Sequence, residues 1–115
     1  MLKNIFLDYK KQIEQDSPLQ VIERFYDDEI SQVENTGTPI VGKNVLKELE
    51  INNLSKVNSV EIQITTWLVD EEQGLAMGEM VIHFDSKKAG PQVLVEAFLQ
   101  RWRDGKIVFQ KFYYK

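Results

Sequence analysis

The sequence predicts an α+β fold, with three N-terminal helices packed on one face of a curved antiparallel sheet. Two changes along the chain carry this reading. Apolar residues recur at steps of three and four as far as Leu54, which is the helical period, and at steps of two from Val60 onward, which is the period of a strand. Asp104-Gly105 then separates two alternating runs, a strong short-range signal for a two-residue hairpin. Helices first and a run of antiparallel strands afterwards is the order of an α+β domain.

The first helix covers residues 1–15, where Leu2, Ile5, Phe6, Tyr9 and Ile13 form one stripe. Ser17-Pro18 reads as an N-cap followed by a first-turn proline, opening a second helix that runs to about Asp27 with Leu19, Ile22, Phe25 and Tyr26 inward. Asp27-Asp28-Glu29 opposes its continuation, because acids at a helix C-terminus meet the negative end of the dipole. Residues 30–34 alternate weakly as a short strand, and 35–39 form a turn cluster. Ile40-Val41 is a brief extended piece, broken by Gly42, and a third helix follows over 44–54 with Val45, Leu46, Leu49 and Leu54 apolar. Four strands complete the chain at 60–68, 75–84, 93–103 and 106–114, separated by a polar turn at 70–74, a loop at 86–91 and the Asp104-Gly105 turn.

The composition bounds the chemistry. The 115 residues suit one domain, residues 1–115. A content of 43% hydrophobic and 28% charged residues excludes a disordered chain. Cysteine is absent, which excludes disulfides, thiol nucleophiles and cysteine-held metals, and the single histidine excludes a two-histidine site. No apolar run approaches the roughly 18–20 residues of a membrane helix, and residues 1–15 lack a cleavage signal, so no membrane partner is expected and a cytoplasmic location is the default. The net charge is −4. The short basic cluster of Arg101, Arg103, Lys106 and Lys111 reads as solvated strand positions, so no nucleic-acid partner is expected. No glycine-rich phosphate loop, metal-ligand spacing or serine elbow is present, so the expectation is no cofactor and no metal.

The turns also predict which residues share a face. A two-residue Asp104-Gly105 turn sets Trp102 opposite Ile107, Gln100 opposite Phe109, Phe98 opposite Lys111 and Glu96 opposite Tyr113. Leu68 opposite Leu75 sets Ile64 against Glu79, while the 86–91 loop fixes its register less firmly. One face then collects Ile62, Ile64, Met77, Glu79, His83, Glu96, Phe98, Gln100, Trp102, Phe109, Lys111 and Tyr113. The other carries Trp67, Met80, Ile82, Leu99 and Phe112. Both are substantially apolar and the helices cover only one. A second protomer is the economical cover for the other, in a two-fold dimer with Trp67 buried at its interface.

Several residues resemble a known family. Phe25-Tyr26-Asp27-Asp28 ends the second helix, and Glu34-Asn35 precedes Pro39 and Val41-Gly42-Lys43. The chain closes on Gln100-Arg101-Trp102-Arg103-Asp104-Gly105-Lys106-Ile107-Val108 and Phe112-Tyr113-Tyr114. Together, over about residues 17–115, these are similar to the SnoaL-like branch of the nuclear-transport-factor-2-like superfamily. The resemblance implies a cone-shaped barrel with a pocket between helices and sheet, and often a dimer through the outer sheet face. It also implies, among several activities, isomerase or cyclase chemistry in which a pocket carboxylate is the general base on an apolar carbonyl compound. A non-catalytic ligand-binding or interaction module on the same scaffold is the alternative.

The candidate catalytic residues are Glu79, His83 and Glu34. Glu79 and Glu96 lie among apolar neighbours on the expected concave face, where desolvation raises a carboxyl toward neutrality and makes it a useful base. The opposing reading is a pair of carboxylates satisfied by Lys111, Gln100 and Tyr113. His83 is the only imidazole, at a strand end. Glu34 falls in the segment resembling the family's pocket lining. Tyr26 and Asp27 are candidate substrate contacts at the pocket mouth, or else a core tyrosine and a turn residue. Glu96, Phe98, Gln100, Trp102, Phe109, Lys111 and Tyr113 complete the expected walls around a small apolar or aromatic ligand.

Overall fold

The computed structural model describes all residues, Met1–Lys115. Its elements are α1 (Leu2–Gln15), α2 (Pro18–Phe25), β1 (Tyr26–Glu34), β2 (Ile40–Val41), α3 (Lys43–Leu54), β3 (Val57–Asp70), β4 (Leu75–Ser86), β5 (Gly90–Arg103) and β6 (Lys106–Tyr113). The strands form one six-stranded sheet in the order β2-β1-β6-β5-β4-β3, and the helices pack on its concave face. The sheet is mixed, because β1 runs parallel to β6 while the other pairs are antiparallel. No helix is long and apolar enough to cross a membrane.

Local chemistry sets the boundaries. Ser17 Oγ accepts the Leu19 amide at 3.2 Å and Pro18 occupies the first turn of α2, as its sequence signature requires. That helix stops at Phe25, and the acidic run continues as strand, so β1 begins at Tyr26 and is longer than the expected 30–34. Asp104 and Gly105 take φ values of 52° and 76°, the left-handed pair of a type I′ hairpin. The N-terminus of α1 is held by a distant residue: Glu71, in the β3–β4 turn, accepts the Leu2 amide at 2.7 Å and the Lys3 amide at 3.0 Å. A carboxylate there satisfies orphan donors and meets the positive end of the dipole.

Phe6, Tyr9, Phe25, Phe98 and Trp102 form the centre of the core, all nearly or fully buried. The Tyr9 ring meets Phe25 and Trp102 edge-on at 5.7 Å each, and Phe6 packs on Trp67 at 5.4 Å. β3 is a free edge of the sheet, and Glu14 of α1 covers part of it by accepting the Ile64 amide at 2.9 Å while taking Lys10 Nζ on its other oxygen. Glu14→Ala removes the acceptor from a part-buried amide. It should lower the unfolding free energy by about 1 kcal/mol in urea titrations.

Three departures from the expected register reorganise the faces. The strands close around a three-residue turn that sets Ser86 opposite Gly90, so Met80 lies beside Glu96 and Glu79 beside Ala97. A bulge between Ile64 and Thr66 adds one residue to β3, which leaves Ile62 and Ile64 inward and turns Trp67 inward as well. A second bulge follows Trp102–Ile107, after which Gln100 pairs with Gln110 and Phe98 with Phe112. Glu79, His83, Phe109, Lys111 and Tyr113 are therefore corrected to the convex face. Trp67, Met80, Ile82 and Phe112, expected outside, belong to the concave one. Trp67, against Phe6, is no anchor for an outer interface.

Candidate functional site: an acidic cavity between helices and sheet

A cavity of about 220 Å³ opens between α1, α2 and α3 on one side and the concave sheet on the other. Ile13, Val21, Ile22, Leu46 and Leu49 supply its helical wall; Ile62, Met80, Ile82 and Phe112 supply the sheet wall. Its polar lining is Tyr9, Tyr26, Gln32, Glu34, Glu50, Asn53 and Glu96, with no lysine, arginine or histidine among the lining residues. The volume is below the roughly 300 Å³ at which pockets for drug-sized ligands begin, so the cavity suits a small molecule.

Glu96 reaches the cavity from β5 because its strand position alternates with the exposed Val95 and Ala97. Its residue is only 8% exposed and accepts no hydrogen bond from a protein donor. Burial first, and the charges of Glu34 and Glu50 next, push its carboxyl up to about 7. Glu34, at the end of β1, is raised chiefly by burial, with the Gln32 amide and Tyr114 hydroxyl opposing. Glu50 on α3 is raised by burial and then by Glu34. Glu34 and Glu50 thus help Glu96 to hold its proton in a cavity whose lining carries no cation.

Tyr26 stands at the head of a hydrogen-bonded row. Gln110 Nε2 donates to Tyr26 Oη at 2.7 Å and to Gln32 Oε1 at 2.7 Å, and Gln32 Nε2 donates to Glu34 Oε1 at 3.2 Å. Gln32 and Gln110 are register partners of the parallel β1–β6 pair, which is why the amides meet. Tyr26 Oη is already an acceptor, so its own proton remains available to a ligand. Burial pushes its pKa well above the ordinary tyrosine range, so the group stays a donor at all physiological pH. Deeper in, Trp102 Nε1 donates to Gln100 Oε1 at 3.1 Å.

Of the expected site residues, the fold brings Tyr26, Glu34 and Glu96 together on this cavity. Phe98, Gln100 and Trp102 are concave but belong to the packed core behind it. Asp27 lies near the start of β1 and away from the cavity lining, where its Oδ2 accepts the Glu29 amide at 3.0 Å. Glu79 is exposed, close to the Thr65 hydroxyl, and His83 is exposed on the same convex side, because the three-residue turn and the β3 bulge reverse β4 relative to the expected register. Phe109, Lys111 and Tyr113 are convex because of the β6 bulge, and Lys111 Nζ lies 4.9 Å from the centre of the Tyr113 ring. The residue that sequence reasoning missed is Glu50. Leu46, Leu49, Glu50 and Asn53 repeat at three and four, so the inward stripe of α3 itself carried the signal.

No protein-family model matches the chain, and no curated protein matches it. Solved structures do. A Mesorhizobium loti protein described as a SnoaL-like polyketide cyclase is 18% identical with a TM-score of 0.82, covering 99% of each chain. A hypothetical protein of ketosteroid isomerase-like fold from Catenulispora acidiphila, in complex with trimethylamine, is 18% identical with a TM-score of 0.77, covering 96% of this chain and 85% of that one. An LEH-like epoxide hydrolase from M. tuberculosis is 14% identical with a TM-score of 0.76, covering 99% of this chain and 78% of the other. At such identities the likeness establishes one thing: the chain has the α+β fold of the SnoaL-like and ketosteroid isomerase-like proteins, a nuclear-transport-factor-2-like cone.

Proposed function

We propose that the protein binds a small, largely apolar carbonyl compound in the cavity and moves a proton on it without a cofactor, Glu96 acting as general base and Tyr26 as the donor to the oxyanion. The observation that carries this reading is Glu96 itself, a buried carboxyl open to a cavity, with no cation and no hydrogen-bond donor to hold its charge. Such a group gains by taking a proton. In the step, a carboxylate oxygen takes the proton α to the carbonyl. The C–H electron pair becomes the enolate C=C, and charge develops on the oxygen that Tyr26 addresses. Return of the proton to the same or a neighbouring carbon completes exchange or isomerisation. Glu34 and Glu50 act at a distance, by raising the affinity of Glu96 for that proton.

Incubating aryl ketones with the protein in D₂O should produce α-deuterium exchange visible by ¹H NMR. The rate should rise with pH and level off above about 7, because only the ionised form of Glu96 is a base. Exchange no faster than in buffer across the panel would leave the non-catalytic binding module as the reading.

The outer face fits a homodimer. Leu68, Met77, Val93, Val95 and Tyr113 are exposed there, and Leu68, Met77 and Leu99 are register partners across three strands. Contiguous apolar area of this kind favours a second copy. Light scattering at micromolar concentration should report a dimer that Val95→Lys converts to monomer; a monomeric parent protein would overturn this assignment.

A further inference from the structure

We infer that the natural ligand of the cavity carries a protonated amine, taken between Glu34 and Glu50 at the helix–strand junction while its apolar body lies along the Ile62, Ile82 and Phe112 wall. The inference rests on the proposed function in taking the same cavity as the site, and it adds the charge of the substrate. The acids are contributed by three different elements: Glu34 by β1, Glu50 by α3 and Glu96 by β5. The titratable or charged groups facing Glu96 are those two glutamates, Tyr9 from α1, Tyr26 from β1 and Tyr114 beyond β6. None is a cation. Lys43 and Lys47, on the same helix as Glu50, are turned to Glu23 instead.

An acidic cluster alone does not make a site. Here a separate observation points to a ligand: Glu96 is nine-tenths buried, opens to the cavity and has no protein partner. Ionised carboxylates in a half-apolar space repel one another, and a cation placed among them gains from all three at once. The carboxylates are not gathered closely enough to ligate one metal ion. A cation with a hydrocarbon body meets both the acidic lining and the aliphatic walls. An anion meets repulsion from every side, and a neutral ligand leaves the repulsion in place.

The test uses three probes with one phenylethyl body and three charges: 2-phenylethylamine, 2-phenylethanol and 3-phenylpropanoate, titrated calorimetrically into the protein at mildly alkaline pH. The amine should bind at least about tenfold more tightly than the alcohol, and the carboxylate more weakly than either. In Glu34→Gln and Glu50→Gln the amine-to-alcohol affinity ratio should fall toward one. Because it is a ratio, a general loss of fold does not imitate it. Amine and alcohol of equal affinity in the parent protein, or no binding by any probe at millimolar concentration, overturns the inference. Ketone exchange reports separately on Glu96. Exchange without amine preference defeats this inference alone, and amine preference without exchange defeats the proton-transfer reading alone.

Discussion

Glu96→Gln should abolish ketone exchange and at the same time stabilise the protein above neutral pH. The loss of rate follows from removing the base, a contribution of about 10²–10⁴-fold for a positioned acid–base group. The gain in stability follows from linkage. The Glu96 carboxyl ionises near 4.5 in the unfolded chain and at about 7 in the native one. Between those values the native protein holds a proton that the unfolded chain has released, so stability falls as pH rises through the window and levels off above it. At alkaline pH the native state carries an uncompensated buried charge costing about 2–3 kcal/mol, and an uncharged glutamine of the same shape is free of it. Urea denaturation of both proteins at acidic and alkaline pH measures the effect. The two curves should converge in acid and separate in alkali, with the variant the more stable. A variant less stable at every pH would mean that Glu96 is a structural hydrogen-bonding group.

Gly78→Ala should be among the most damaging substitutions in the sheet. Gly78 lies between Trp67 and Phe98 in the ladder, just where the β3 bulge folds Trp67 inward. A Cβ built there comes 2.1 Å from the Thr66 carbonyl oxygen, 3.0 Å from Phe98 Cζ and 3.0 Å from Trp67 Cα. Two of those neighbours are backbone atoms of a paired strand and cannot rotate away, so β3 must shift or the bulge must open. Overpacking costs typically 1–3 kcal/mol, and a backbone clash of this depth belongs at about 3 kcal/mol or beyond. The melting temperature should fall by on the order of 10 °C or more. Trp67 fluorescence should move to the red as the indole loses Phe6. An unchanged melting temperature would mean that the bulge is not part of the native packing.

The sequence carried the fold class and most elements because their signals are local. The stripe from Leu2 to Ile13, the Ser17-Pro18 cap and the Asp104-Gly105 turn each act within a few residues. The faces were less legible, for a physical reason. Side chains alternate at a period of two, so one extra residue in a strand reverses everything beyond it. Thr65 and the residue inserted after Ile107 do this in β3 and β6. Neither carries a composition that marks a bulge. That is how Glu79 and His83 came to be expected inside and Trp67 outside. Gly78, the one glycine within β4, was the available warning of a close backbone approach. Glu96 held its place because β5 is central and pairs without a break against β4. Tyr26 and Glu34 held theirs because β1 starts directly at the end of α2 and its far end borders the cavity.

In the proposed function Glu96 is an uncompensated carboxyl poised to exchange a proton in the cavity. Its side-chain titration, followed by ¹³C NMR of the carboxyl carbon and assigned with Glu96→Gln, tests this most directly. The midpoint should lie at about 7 and move downward when Glu34 or Glu50 is replaced by glutamine. A midpoint at or below the ordinary value of 4.5 would contradict it.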